Sequence, residues 1–190
     1  KNIKKIRPYA VCAVVKNVEL NELGIQYLMQ VQEKLHKTFG RDRKKLSIGV
    51  YDLDEIEFPL TYGAEVRNLK FVPLEMDGEM DVDEILEKHP TGIDYSHLLD
   101  GFKKVPIWSD NNGKVLSMPP IINSENTKVT ANSKNLFIDV TGLDLKSCEQ
   151  ALNILVTGFS ERGADIYSVN VNGKNYPDLE SVLLLMTILT

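Results

Sequence analysis

Two adjacent prolines, Pro119 and Pro120, constrain this chain more than any other feature. Neither can donate a backbone hydrogen bond, so a strand entering them cannot carry its ladder through. Strand-like Val115-Leu116-Ser117-Met118 precedes them and Ile121-Ile122-Asn123-Ser124 follows. A stiff backbone with carbonyls to offer, beside the small polar side chains of Ser117, Asn123 and Ser124, suits the wall of a small-molecule pocket. The same string also reads as an edge-strand terminator followed by an ordinary polar loop. The residues alone leave both readings open.

Strands dominate around this segment, with two long helices. Residues 9–18 are rich in Val and Ala and read as a buried strand. Asn21 can cap a helix with an apolar face of Leu23, Tyr27, Leu28, Val31, Leu35 and Phe39, closed by Gly40. A basic connector at 41–45 leads to a strand at 46–53, and residues 64–74 read as extended. Asp81 followed by Glu84 is a capping-box start for a short helix over 82–89, which Pro90 stops. Another turn or two falls at 95–99. Strands at 105–108 and 114–118 flank the turn Asp110-Asn111-Asn112-Gly113, and 121–135 is polar and turn-rich. Asp144 caps the clearest helix, with Leu145, Cys148, Leu152, Leu155 and Phe159 on one face. Asn172-Gly173 joins strands 166–171 and 174–176 in the favoured type I′ sequence. The fold class expected is α+β, with mixed and antiparallel β-sheets in two sub-lobes and flanking helices.

Composition excludes several classes. With 43% hydrophobic and 26% charged residues over 190, disorder and a coiled coil are poor readings. A net charge of −5 argues against a surface that grips nucleic acid over a wide area. The longest apolar run, 182–189, falls short of the ~20 residues of a membrane span, so no membrane partner is expected. Cys12 and Cys148 sit among apolar neighbours and read as reduced, inert thiols. The absence of any Asn-x-Ser/Thr sequon agrees with a cytoplasmic location. The first residue is Lys1, which suggests a processed or excised piece of a longer chain.

Few residue patterns carry chemistry. His36, His89 and His97 lie far apart and neither cysteine has a ligand-spaced partner, so no metal site is expected. His36, among Glu and Lys on a helix flank, reads as solvated surface. No Gly-x-Gly-x-x-Gly, Gly-x-Ser-x-Gly or Ser/His/Asp order is present. The acidic groups at 52–55 and 75–84 read as solvated faces or caps. Asp139 stands apart, inside the strand Leu136-Phe137-Ile138-Asp139-Val140. It is either on the exposed face of an alternating strand or set in a pocket, and alternation favours the exposed position.

The sequence resembles a known family at several strings: Gly49-Val50-Tyr51-Asp52-Leu53-Asp54, Phe58-Pro59-Leu60-Thr61-Tyr62, Leu116-Ser117-Met118-Pro119-Pro120-Ile121-Ile122-Asn123 and Phe137-Ile138-Asp139-Val140-Thr141-Gly142. It is similar to the editing module, the third and fourth domains, of the phenylalanyl-tRNA synthetase beta subunit of archaeal and eukaryotic type. The likeness covers roughly residues 7 to 180, with 1–8 as a linker, 9–180 as the module and 181–190 as a tail unlike the family's usual continuation. Eukaryotic relatives often carry Glu where this chain has Asp139, whose carboxylate therefore reaches one methylene less far.

The resemblance implies hydrolysis of tyrosine mistakenly attached to phenylalanine tRNA, by a positioned water attacking the aminoacyl ester. It assigns Asn123 and Ser117 to orienting water or carbonyl, and Asp139 to the substrate's amino group or phenol. Pro119, Pro120, Ile121, Ile122 and Ser124 would shape or line the pocket, expected between the two lobes. No cofactor or metal is implied for the module; the full synthetase would use ATP and magnesium elsewhere. The partners implied are aminoacylated phenylalanine tRNA, the alpha subunit and the remainder of the beta subunit. Two rival readings are a non-catalytic module that binds an amino acid or RNA end, and a structural domain of a synthetase.

Overall fold

The structure, a computed structural model, describes residues 3–180 and 182. The chain divides into two units, each with its own sheet and apolar core. Every strand pairing among the described residues is antiparallel, so the sheets are antiparallel throughout rather than mixed. The tail set apart at 181–190 lies outside the described residues, except for buried Val182.

The first unit combines the chain up to Pro8 with Glu55–Lys128. It opens on the helical turn α1 (Ile3–Ile6), whose Ile6 packs against the unit's core, and Arg7 beyond it is buried. The main sheet has the order β3 (Thr61–Val66), β6 (Lys104–Ser109), β7 (Val115–Met118), β8 (Ile122–Asn123). A short pair, β4 (Lys70–Phe71) and β5 (Met80–Asp81), leads into α3 (Val82–Lys88) and α4 (Pro90–Tyr95). The capping box forms as its spacing predicts: Glu84 N donates to Asp81 Oδ1 at 2.9 Å, and Asp81 N to Glu84 Oε2 at 3.1 Å. Pro90 ends α3 but also opens α4, where its missing N–H is one of the donors a helix start leaves unpaired anyway. Expecting only a stop there was incomplete. Residues 64–74, expected to be extended throughout, instead turn between β3 and β4.

The second unit is Tyr9–Asp54 with the chain from Val129 onward. Its sheet has the order β11 (Lys174–Tyr176), β10 (Asp165–Val171), β1 (Tyr9–Lys16), β9 (Leu136–Gly142), β2 (Leu46–Asp52). The β10–β11 hairpin turns at Asn172 and Gly173 with φ of 52° and 89°, the left-handed pair a type I′ turn needs. Two 16-residue helices, α2 (Glu22–Lys37) and α5 (Leu145–Ser160), begin at Asn21 and Asp144, whose side chains accept from Gly24 N and Ser147 N. One sheet face, with Val11, Ala13, Val15, Ile48, Ile138 and Val140, packs with Leu28, Leu35, Leu152 and Leu155 of the helices. Each fully buried aliphatic side chain there contributes roughly 1.5–3 kcal/mol. The face drawn for α2 from sequence needs correcting. Leu23 and Tyr27 are exposed, and the buried positions are Leu28, Leu35 and His36.

His36 is therefore not solvated surface. It is 3% exposed, and its Nε2 accepts from Ile48 N at 2.9 Å. One turn earlier, Gln32 Nε2 donates to Ile48 O at 2.9 Å. β2 is the sheet's edge, and these two side chains satisfy both backbone groups that Ile48 would otherwise turn outward. Burial and the nearby Arg43 guanidinium push His36 down to about 4, against the opposing pull of Glu33. An ordinary histidine titrates near ~6.5, so between the two values the unfolded chain binds a proton that the folded chain refuses. Stability is thus full above about pH 6.5 and falls as pH drops toward about 4. Urea midpoints measured across this window should fall for the wild type and stay nearly level for His36→Gln.

Candidate functional site

β7 runs to Met118, and the Pro119–Pro120 peptide that follows is cis. Ile121 N donates to Met118 O at 2.8 Å, which closes a four-residue reversal. The chain then returns antiparallel as β8, with Asn123 opposite Ser117 and Ile122 opposite Met118. The ladder stops at the prolines as expected; within the turn-rich segment 121–135, Ile122 and Asn123 form a short returning strand. Distant partners fix it: Leu74 N donates to Asn123 O at 2.9 Å, and Glu125 N to Val72 O at 2.9 Å.

Residues directly opposite one another in a sheet share a face. Tyr62 lies opposite Trp108, Trp108 opposite Ser117, and Ser117 opposite Asn123. These four form a transverse row on one face of the first unit's sheet. Tyr62 and Trp108 stack with centroids 4.9 Å apart, and the Tyr62 hydroxyl donates to Arg7 O at 3.0 Å. Ser117 is 1% exposed and Asn123 is half-buried. Met118, Ile121 and Ile122 belong to the apolar core of the same unit, and Pro119 and Pro120 are buried. The Ser124 hydroxyl donates to Val72 O and accepts from Asn126 N, each at 3.2 Å, which caps the 3₁₀ turn Glu125–Thr127. Ser117 and Asn123 are thus brought together, while Ser124 is engaged in holding the turn. Sequence reasoning missed Tyr62 and Trp108, since only the register places them beside Ser117.

Asp139 belongs to the second unit, on β9 between β1 and β2. The exposed position that alternation favoured is wrong: Asp139 is 1% exposed. Alternation correctly sets it opposite the aliphatic face, but that second face is buried as well, and every residue of β9 is inaccessible. Its row across the sheet is Cys12, Asp139, Gly49. Tyr51, two residues along β2, donates its hydroxyl to Asp139 Oδ2 at 2.6 Å. Gly49 makes the room. A Cβ there would stand 2.0 Å from Tyr51 Oη and 2.2 Å from Asp139 Oδ2. Tyr51 and Gly49 were not singled out as site residues from sequence, although a glycine inside an apolar strand signals such a close approach.

Burial pushes the Cys12 thiol well up, and the adjoining Asp139 adds to this, so it stays protonated and unreactive. Cys148 is also buried and is not part of a disulfide. Among the described residues, no group of three His, Cys, Asp or Glu could hold a metal ion, and no helix is long and apolar enough to cross a membrane. A cavity of about 220 Å³ between α2 and α5 is lined by Leu20, Leu28, Val31, Leu155 and Phe159, with Arg162 over the Tyr27 ring. Its wall is mainly aliphatic, with Glu19 and Arg162 as its charged residues.

An α+β chain with this paired polar hairpin matches the model of the B3/4 domain family over residues 5–171, and it belongs to that family. Its similarity to particular proteins is narrower. It is 53% identical over 178 residues to a phenylalanine–tRNA ligase beta subunit of Methanococcus maripaludis, covering 92% of this chain and 32% of that protein. It is 46% identical over 179 residues to the beta subunit of Thermococcus kodakarensis, covering 94% of this chain and 31% of the relative. The chain thus spans about a third of the length of the curated relatives it matches. Among solved structures, an N-terminal fragment of the phenylalanyl-tRNA synthetase beta subunit from Pyrococcus horikoshii superposes with a TM-score of 0.90 at 45% identity. That match covers 94% of this chain and 53% of the fragment.

Proposed function

We propose that this chain is the editing module of a phenylalanyl-tRNA synthetase beta subunit, hydrolysing tyrosine mischarged onto phenylalanine tRNA. The observation that carries the reading is the Ser117–Asn123 pair on the hairpin that Pro119 and Pro120 close. The similarity to archaeal beta subunits supplies its context.

The need for such a module follows from pocket chemistry. An apolar pocket built for phenylalanine rejects an isostere that adds only a hydroxyl by ~10²-fold. A second site must prefer the hydroxylated side chain and cleave it. Polar groups that pair with a phenol supply that preference, because phenylalanine leaves them unpaired at a cost of about 1–3 kcal/mol.

The ester to the terminal ribose is labile, so orienting water and stabilising the developing oxyanion are sufficient catalytic tasks. Asn123 carries an amide that can both donate and accept, and Ser117 a hydroxyl that can do the same. In this reading they orient the attacking water or the carbonyl. Asp139 is assigned to the substrate's amino group or phenol. Pro119, Pro120, Ile121 and Ile122 fix the backbone that presents the pair. The substrate is charged phenylalanine tRNA in the cytoplasm, held mainly by the alpha subunit and the rest of the beta subunit. A net charge of −5 is compatible with that arrangement, since this piece need not hold the tRNA by itself.

The deciding experiment is a deacylation assay on the assembled synthetase carrying this sequence in its beta subunit. Tyrosine should be released from tyrosyl-tRNA(Phe) much faster than phenylalanine from the cognate ester. Equal release of both at the uncatalysed rate would leave only a binding or structural module.

A further inference from the structure

The geometry points to Tyr51 as a positioning residue for Asp139, a role that rests on the editing reading and deepens it. Tyr51 is fully buried on β2, and its ring lies 5.9 Å from that of Phe137, the residue directly opposite it. From there the ring leans back along its own strand over Gly49, the residue opposite Asp139. Its hydroxyl fills the volume that a side chain at position 49 would occupy and meets Asp139 Oδ2 at 2.6 Å.

Three features make this more than incidental packing. An O–H donor on a carboxylate is among the shorter and stronger hydrogen bonds a side chain can make. A short, buried carboxylate can still rotate about its terminal torsion, and a fixed donor on one oxygen removes that freedom. Finally, the arrangement requires a glycine in the middle of a buried strand, a choice that costs strand stability relative to alanine. The phenol therefore holds the orientation of Asp139 without touching substrate. The neighbouring group on the other side of the row, the Cys12 thiol, remains neutral and supplies no competing charge.

The experiment uses Tyr51→Phe, which removes one oxygen and leaves the ring in place. In the assembled synthetase, kcat for tyrosyl-tRNA(Phe) deacylation should fall about tenfold, with KM for the charged tRNA within about twofold; the melting temperature should drop by a few degrees, since a buried carboxylate loses a donor. Phenylalanine charging, carried out elsewhere in the enzyme, should not change. In single turnovers, Tyr51→Phe should cause no further loss once Asp139→Ala is present, because it acts only through that carboxylate. An active wild type with an unaffected Tyr51→Phe variant would overturn the positioning role and leave the editing reading standing. Losses that multiply in the double variant would overturn it too, since Tyr51 would then act independently of Asp139. A wild type that releases no tyrosine would overturn the editing reading, and this inference with it.

Discussion

Asn123→Ala in the assembled synthetase is expected to lower the rate of tyrosine release from tyrosyl-tRNA(Phe) by about 10²–10³-fold, the usual cost of removing one donor from a stabilised oxyanion. The substitution keeps the backbone contacts of residue 123. Asn123 is half-buried, and its backbone carbonyl would still accept from Leu74 N. Its pairing with Ser117 across the hairpin is likewise made by the main chain. Phenylalanine charging should therefore persist at the wild-type rate, and the melting temperature should move little. Asn123→Asp separates two roles for the amide. It keeps size but replaces both N–H donors with a second, charged acceptor oxygen, so activity that survives Asn123→Asp but not Asn123→Ala assigns the amide to accepting. Ser117→Ala should cost less if the hydroxyl only helps to orient water. Release of tyrosine by Asn123→Ala at the wild-type rate would remove Asn123 from the mechanism.

Much of the scaffold was legible because its signals are local. The type I′ turn at Asn172-Gly173 depends on two residues that tolerate positive φ, and the Asp81–Glu84 box on a three-residue spacing. The caps of α2 and α5 are single polar side chains at fixed offsets from the backbone donors they satisfy. What failed was exposure. A charged helix flank usually faces water, which set His36 there, and alternation favoured the same for Asp139 over a pocket. Each is buried for a non-local reason: His36 because α2 lies along the edge strand β2, Asp139 because both faces of β9 are covered. Leu23 and Tyr27 show the converse error, apolar residues at helical spacing that stay exposed.

The site divides along the same line. Pro119 and Pro120 announce the end of a ladder, since that follows from their covalent structure alone. They do not announce the reversal that sets Asn123 against Ser117. That pairing is secured by Leu74, Val72 and Pro73, some fifty residues away in the chain. Tyr62 and Trp108 join the same row through register, which no periodicity within one strand can fix.

Gly49→Ala should be strongly damaging, and its sign runs against the general rule. In an ordinary strand interior, replacing glycine by alanine stabilises by about 0.5–1 kcal/mol through the chain entropy of the unfolded state. Here the new methyl would lie 2.0 Å from Tyr51 Oη, 2.2 Å from Asp139 Oδ2 and 2.5 Å from Tyr51 Cζ. Tyr51 and Asp139 are both inaccessible, so neither can swing into solvent to make room. Overpacking of this kind costs about 3 kcal/mol, which for a chain of this size lowers the melting temperature by about 6–12 °C. Deacylation should fall with it, because the methyl displaces the carboxylate that the phenol holds. Adding Tyr51→Phe should not restore stability: it removes the hydroxyl, but ring carbon Cζ still stands inside contact distance of the methyl. A melting temperature for Gly49→Ala equal to or above the wild type would mean that Tyr51 and Asp139 do not converge over residue 49.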